Sequence, residues 1–558
     1  MSLLPFLAVA LGTGCLSLLT RRAPRASAIV GFVGLAAAAG LAALVRAEEP
    51  FHIAGGAIAG SDFARLFLVL GSAGGLLLAV VALATTWPRS LPGATLVGLG
   101  AAGFALGVVD SGTAVAAATS GAVVGVLVTV FGPPNQRRVL VAARELRALV
   151  VAGVLGLVAA GATAGPEAAA RIDPAILGLA YLGFASAVAI RFGAIPFHLW
   201  AARVAEAAPE VGLPLIMAWG PAAFAVVGLA WVNTSVAPSG ASLIVERGLI
   251  VVIGVASIAL GTVAAFLHDD IEHVVGYSIV ADGGIALLGL GALDQAAWGP
   301  TRMWLLALVV TKTAFAAWAA AVRATFGTGR IDELRGWAGR APVLGLALVA
   351  IVLASVGWPG MAAFAARGTL VGLVLEAPLS SLLLAFALSA ILYYGRLAVV
   401  GLLRPGPLVA AAGSRPRSAT ASESGRKRRI PRPGLRPIAS GLQANRAAVA
   451  AAAVLVLSGL AVAVSGGGLS ARAAADAPGP AFSPAGSAPA ASESPAGSAS
   501  PSPSASPLPP ASPPPSENPP STGPSAPIPS AGSPGPSASK RPGGSARPSA
   551  TTRPRASG

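Results

Sequence analysis

The chain has 558 residues, 54% of them hydrophobic and only 11% charged, with a mean hydropathy of +0.75. Soluble proteins carry about 25% charge, so this composition excludes an ordinary soluble protein and specifies a polytopic membrane protein. The net charge of +16 sits in short loops and a tail, with no soluble domain or aromatic-interleaved patch to present it to nucleic acid, and the single cysteine, Cys15, excludes internal disulfides, thiolate zinc sites and iron–sulfur clusters.

Apolar runs at 3–20, 28–45, 64–86, 92–109, 112–132, 148–165, 175–209, 212–233, 248–267, 274–293, 302–323, 342–376, 379–402 and 447–466 predict fourteen membrane spans. Each is close to the ~20 residues a bilayer requires. Loop charges support the count. Arg21, Arg22 and Arg25 follow the first span, Arg89 the third, and Arg137, Arg138, Arg144 and Arg147 the fifth. Arg323, Arg330, Arg335 and Arg340 follow the eleventh, and Arg404 with the GRKRR run at Gly425–Arg429 the thirteenth. Opposite loops carry few cations, so the positive-inside rule puts both termini outside and the odd-to-even loops in the cytoplasm.

Two spans are interrupted. The seventh reads ILGLAYLGFASAVAIRFGAIPFHLW, with Arg191 at membrane depth, a stop at Pro196, and a restart through His198 and Trp200. A cation inside an apolar span costs at least about 2.5–3.5 kcal/mol and survives only beside a partner or a wet cavity, so Arg191 is a site candidate. Proline lacks the N–H that would continue the ladder, and the break is expected to point inward. The twelfth span breaks at Pro359 in SVGWPGMAAFAARG, with Arg367 beyond it. Paired interruptions five spans apart predict two inverted repeats with a pathway between them near mid-membrane. Lys312 lies mid-span in VVTKTAFAAW, whereas Asp110, Asp282 and Glu376 lie near span ends, where they reach the interface.

The chain therefore divides into N-terminal spans and a loop (1–60), a central membrane domain (61–403), a basic cytoplasmic linker (404–446), a last span (447–466) and a Pro/Ser-rich tail (467–558). The tail has almost no large apolar side chains and is predicted to be disordered. His268, Asp269, Asp270, Glu272 and His273 fit no metal-site spacing and read as a solvated, helix-capping loop.

The seventh span resembles the transmembrane module of the antiporter-like subunits of NADH:quinone oxidoreductase and of Mrp cation/proton antiporters. Their motif reads roughly G-x-x-P-F-H-x-W-x-P-D-x-Y-x-x-A-P; Gly193, Pro196, Phe197, His198, Trp200, Ala208 and Pro209 match it. Arg191 stands at the family's lysine, Ala202 and Arg203 replace Pro-Asp, and Ala205 replaces the tyrosine. Downstream, Asp270, Tyr277, Ser278, Ile279 and Gly283 match the segment opening the tenth span, where Glu272 and His273 replace a basic pair. Asp332, Leu334, Gly336 and Pro342, then Ser355, Gly357, Pro359 and Phe364, match further motifs. The resemblance covers about residues 60–400 and is nearest the N-type quinone-reductase subunit.

That resemblance implies an all-α membrane protein of about fourteen helices, with two inverted five-helix repeats whose broken helices are the seventh and twelfth spans. It also implies a mid-membrane proton pathway through Arg191, Lys312, Arg367 and His198, with Pro196 and Pro359 at the breaks. The family's fifth-span glutamate falls near Thr119 and its eighth-span lysine at Gly220, so Asp110 or Glu206 is left to balance Arg191. Arginine is effectively never deprotonated; Arg191 and Arg367 are fixed charges, and Lys312 is the carrier. The implied function is that of a non-redox membrane subunit of a respiratory NADH:quinone oxidoreductase in a bacterial cytoplasmic membrane. It would bind no cofactor itself, NADH and quinone being handled by other subunits, and its partners would be those subunits and lipid. The alternatives are an Mrp-type antiporter subunit and a non-conducting structural subunit.

Overall fold

A backbone inside a bilayer must satisfy its own polar groups, which long apolar segments do as helices. The computed structural model describes residues 2–46, 51–53, 56–85, 90–130, 136–163, 171–388, 390–405 and 436–476. Its helices are α1 (Leu4–Leu19), α2 (Pro24–Ala43), α3 (Asp62–Thr85), α4 (Leu91–Gly107), α5 (Ser111–Val130) and α6 (Gln136–Ala162). Next come α7 (Pro174–Phe192), α8 (His198–Ala207), α9 (Gly220–Trp231), α10 (Ile244–Leu267), α11 (Ile271–Gly291) and α12 (Trp298–Phe326). The series ends with α13 (Pro342–Val352), α14 (Ala362–Val374), α15 (Leu379–Leu388), α16 (Ala390–Leu402), α17 (Arg436–Gly466) and α18 (Leu469–Ala475). A small antiparallel hairpin, β1 (Phe51–Ile53) and β2 (Gly56–Ile58), pairs Phe51 with Ile58. Proline opens α2, α4, α7 and α13, where its missing N–H costs no helical bond.

Among the described residues, twelve helical segments are long and apolar enough to cross a membrane, and Leu91–Gly107 and Ala390–Leu402 are shorter apolar helices. These segments occupy the fourteen predicted runs, but two of the fourteen fall short of a full span. The sixth run starts earlier than its hydropathy suggests. Helix α6 begins at Gln136, and so takes Arg138, Arg144, Glu145 and Arg147 out of the expected loop. Arginine's long stem lets a helix carry such charges at its end.

Helix α12 is the centre of the bundle, with its span buried throughout, and α11 and the Glu210–Ser239 span are almost as enclosed. Helices α3, α11, α13, α14 and α17 pack around α12. Outer helices expose one apolar side, as at Val154, Val158, Leu179, Leu260, Leu346 and Leu382, where lipid would lie. Two of the three π-helical turns among the described residues, Leu215–Trp219 before α9 and Leu353–Gly357 after α13, lie near the buried charges, and such turns are often found at functional sites. The predictions for Arg89, the GRKRR run, linker residues 406–435 and tail residues 477–558 lie outside the described residues.

Candidate functional site

The first break is built by its sequence motif. Helix α7 is capped by Asp173, whose Oδ1 accepts from the Ala175 N–H at 2.8 Å, and it ends at Gly193 in a left-handed conformation (φ 62°). A side chain at Gly193 would also meet the Ala201 Cβ at 2.5 Å, so only glycine fits. The Ile195–Pro196 bond is cis, and α8 restarts at His198. Two side chains take up the freed backbone groups: Ser257 Oγ accepts from the Ile195 N–H (3.0 Å), and Trp200 Nε1 donates to the Ile190 carbonyl (2.9 Å). The break does not point inward as expected. Pro196 is exposed and His198 half-buried with its Nδ1 unpartnered, because Ser257 and Trp200 satisfy the backbone without burying the proline.

Arg191, one turn before the break, is 1% exposed, and none of its guanidinium nitrogens has a hydrogen-bond partner. Its guanidinium lies 5.2 Å from the Phe224 ring centroid. A Cβ on Gly220 would stand 3.2 Å from its Nη2, so the space vacated at the expected lysine position is where the guanidinium reaches. A cavity of about 20 Å³, lined by Gly98, Gly121, Gly125, Trp219 and Gly220 among others, reaches Gly220. That is room for about one water.

The expected counter-charges lie elsewhere. Asp110 is exposed and accepts from the Thr113 N–H and Oγ1, both at 2.6 Å, at the start of α5. Glu206 pairs with Arg203 at 3.2 Å and with His273 Nε2 at 3.4 Å. The carboxylate that acts on Arg191 is Glu145 of α6, fully buried, with Oε2 accepting from Thr129 Oγ1 at 2.9 Å. Sequence reading missed it because four arginines made its surroundings look like a loop. A carboxylate within the α6 helical register, between the arginines and the apolar run, was the available signal.

The second group is tighter. Lys312, in the middle of α12 and 0% exposed, places Nζ 2.8 Å from Asp282 Oδ2. Its Nζ also lies 3.5 Å from the Tyr394 hydroxyl, which donates to Ser355 Oγ at 3.0 Å on the Leu353–Gly357 turn. Arg367 of α14 is 1% exposed, faces the rings of Phe364 (5.3 Å) and Trp304 (5.9 Å), and acts on Asp282 by charge. Its Nε and Nη2 have no hydrogen-bond partner. Asp282 was expected at an interface. It is instead 8% exposed in the middle of α11, because α11 starts at Ile271 and carries it a full three turns inward. The second break is real: the chain leaves helix at Gly357 (φ 69°) and re-enters at Ala362, with Pro359 exposed between them.

Trp219 connects the two groups. It precedes Gly220, and its Nε1 donates to Thr313 Oγ1 at 2.9 Å, the residue after Lys312. At one end of the bundle, Arg396 holds Asp269, and its Nη1 donates to the carbonyls of Phe266 and His268, both at 2.7 Å. His268 stacks on His273 and Tyr277; burial, then the neighbouring His273, push its imidazole below the ordinary range. Among the described residues, no group of three His, Cys, Asp or Glu side chains could hold a metal ion. Arg191, Lys312 and Arg367 are thus all enclosed by protein, in two groups that a single tryptophan joins.

Residues 166–392 match the family model described as NADH:quinone oxidoreductase/Mrp antiporter, TM. The NADH-quinone oxidoreductase subunit N of Nitrosomonas europaea is 29% identical over 203 residues, covering 36% of this chain and 41% of that protein. Subunit N 2 of Rhizobium meliloti is 30% identical over 233 residues, covering 41% and 47%. The chain thus spans a little under half the length of these relatives. By structure, it is similar to a chain of respiratory complex I from Thermus thermophilus (TM-score 0.59, 17% identity, 83% of this chain and 100% of that one). It is similar also to a chain of the Mrp complex from Dietzia (TM-score 0.59, 18% identity, 85% and 96%). Over residues 166–392 the chain is thus similar to the transmembrane domain that this family model describes, and its fold is similar to that of chains from a respiratory complex I and an Mrp complex.

Proposed function

We propose that the chain is a membrane subunit of a respiratory NADH:quinone oxidoreductase in a bacterial cytoplasmic membrane, contributing to proton translocation while other subunits carry the electrons. The observation that carries this reading is the Lys312–Asp282 pair, 2.8 Å apart at the centre of the most buried helix. A buried ion pair is stable only while both charges are matched. Asp282 has two cations to choose from, Lys312 and Arg367. With Asp282 on Lys312, the ammonium is held. If Asp282 turns to Arg367, Lys312 is left as an unpaired buried cation, which sheds its proton more readily. Arginine cannot be the group that lets go, so Arg367 sets the competition and Lys312 carries the proton. Tyr394 and Ser355 extend the hydrogen-bonded line from Lys312 to the second break.

The same reading takes the two breaks as those of inverted repeats, places the Arg323 and Arg330 face in the cytoplasm and both termini outside, and makes His198 a group at the surface of the first break. A non-conducting structural subunit is the second reading, favoured by arginine at 191 and 367. The test is purification of the intact assembly from its membrane through a tag on this chain. Co-purification of NADH-oxidising subunits, with NADH-driven proton uptake by reconstituted vesicles, is the expected result. Co-purification with cation-exchange subunits, without NADH oxidation, would overturn it.

A further inference from the structure

The Glu210–Gly212 turn, the start of α11 and the end of α12 meet at the end of the bundle that also carries Arg330. Arg323, near the end of α12, meets two carboxylates: Glu210 Oε1 lies 3.0 Å from its Nη1, and Glu272 Oε1 is in contact with its Nη2. The two carboxyl groups thus meet on one guanidinium. Glu210 is 2% exposed, and its Oε2 has no donor. Two ionised carboxylates on one guanidinium would leave a net negative charge beneath the surface, with one oxygen lacking any hydrogen. Like charges at this range cannot both ionise without cost, whereas one shared proton neutralises the group and gives Glu210 Oε2 a donor.

We infer that Glu210 and Glu272, bridged by Arg323, form a proton-holding site at the mouth of the molecule, with His273, the residue after Glu272, as its neighbour towards solvent. The proton passes between carboxyl oxygens, and no other bond changes. His273 Nε2 lies 3.4 Å from the exposed Glu206 and its Nδ1 3.9 Å from the half-buried Asp270. Arg203, His268, Tyr277 and Arg330 are the other titratable or charged groups around it. Lys312 and Arg323 stand three turns apart on one face of α12, so the site lies along the same helix as the inner pair. Both residues at 272 and 273 depart from the basic pair of the resembling motif, so this chain has built acid and imidazole there.

This inference rests on the proposed function for its purpose but not for its test. Infrared difference spectra of the intact assembly in native membranes, recorded across a pH step, report a protonated carboxyl directly. The site predicts such a band in the parent and its loss in both Glu210→Gln and Glu272→Gln, because either change removes the shared proton. In vesicles the same variants take up protons several-fold more slowly, and Glu210→Asp restores part of the rate. A band unchanged in both variants, or absent from the parent, overturns the inference. The K312R variant keeps the band whether or not the assembly pumps, so failure of the proposed function is read separately.

Discussion

A buried charge is judged by what stands next to it. Asp282→Asn leaves Lys312 as an uncompensated ammonium at the bundle's centre. It should cost about 3–5 kcal/mol, seen as a lower unfolding temperature of the purified assembly; Asp282→Glu should keep most of the parent value. Gly220→Lys tests the other group. Its Cβ alone would stand 3.2 Å from Arg191 Nη2, and a second cation there has no partner. The variant should fail to accumulate in membranes, while Gly220→Ala, measured by membrane yield, should be tolerated with a modest loss. Lys312 was legible in the sequence because a lysine in mid-span has no other explanation. Asp282 and Glu145 were not, since hydropathy places span ends loosely. An error of a few residues turns a core carboxylate into a surface one.

The interrupted helices show what a motif encodes and what it hides. Proline and glycine located both breaks from the sequence, and the Trp200 indole explains why tryptophan follows four residues after Pro196: it returns to the last carbonyls of α7. Trp200→Phe keeps the packing and removes the donor, and Ser257→Ala removes the acceptor for the Ile195 N–H. Each should cost about 1 kcal/mol, read as a small drop in thermal stability, and the double variant should approach the sum. Gly193→Ala should cost more than either, because φ is 62° and Ala201 blocks the space. The direction in which the break faces was not legible. It depends on Ser257, sixty-two residues away in sequence and on another helix, a contact that no local pattern announces.

At the scale of the molecule, the described chain closes on itself at Asp476. The Asp476 carbonyl accepts from Trp298 Nε1 (2.9 Å) and Arg302 Nη1 (2.5 Å), and its Oδ2 accepts from the Asp62 N–H (3.0 Å). Arg302 itself is held between the rings of Phe63 (4.2 Å) and Trp298 (4.7 Å). Removal of residues 477–558 should therefore leave membrane yield and stability unchanged, whereas removal from residue 467 should lower both. Composition set the tail apart, but it drew the boundary about ten residues early, because the small residues of α18 look like tail until their docking is seen. The helices were readable in the sequence, because the apolar runs fall on the segments long and apolar enough to cross a membrane. The side-chain contacts across helices were not. Trp219 to Thr313 and Lys312 to Asp282 join different helices, and Glu145 acts on Arg191 by charge from another. The central claim is that Lys312 releases and regains a proton while Arg191 and Arg367 hold theirs. Lys312→Arg tests it most directly, because arginine keeps the charge opposite Asp282 but cannot be deprotonated. The measurement is protons taken up per NADH oxidised by vesicles containing the intact assembly. A fall in that ratio with assembly and NADH oxidation retained is the predicted result; a ratio equal to the parent's would contradict the account.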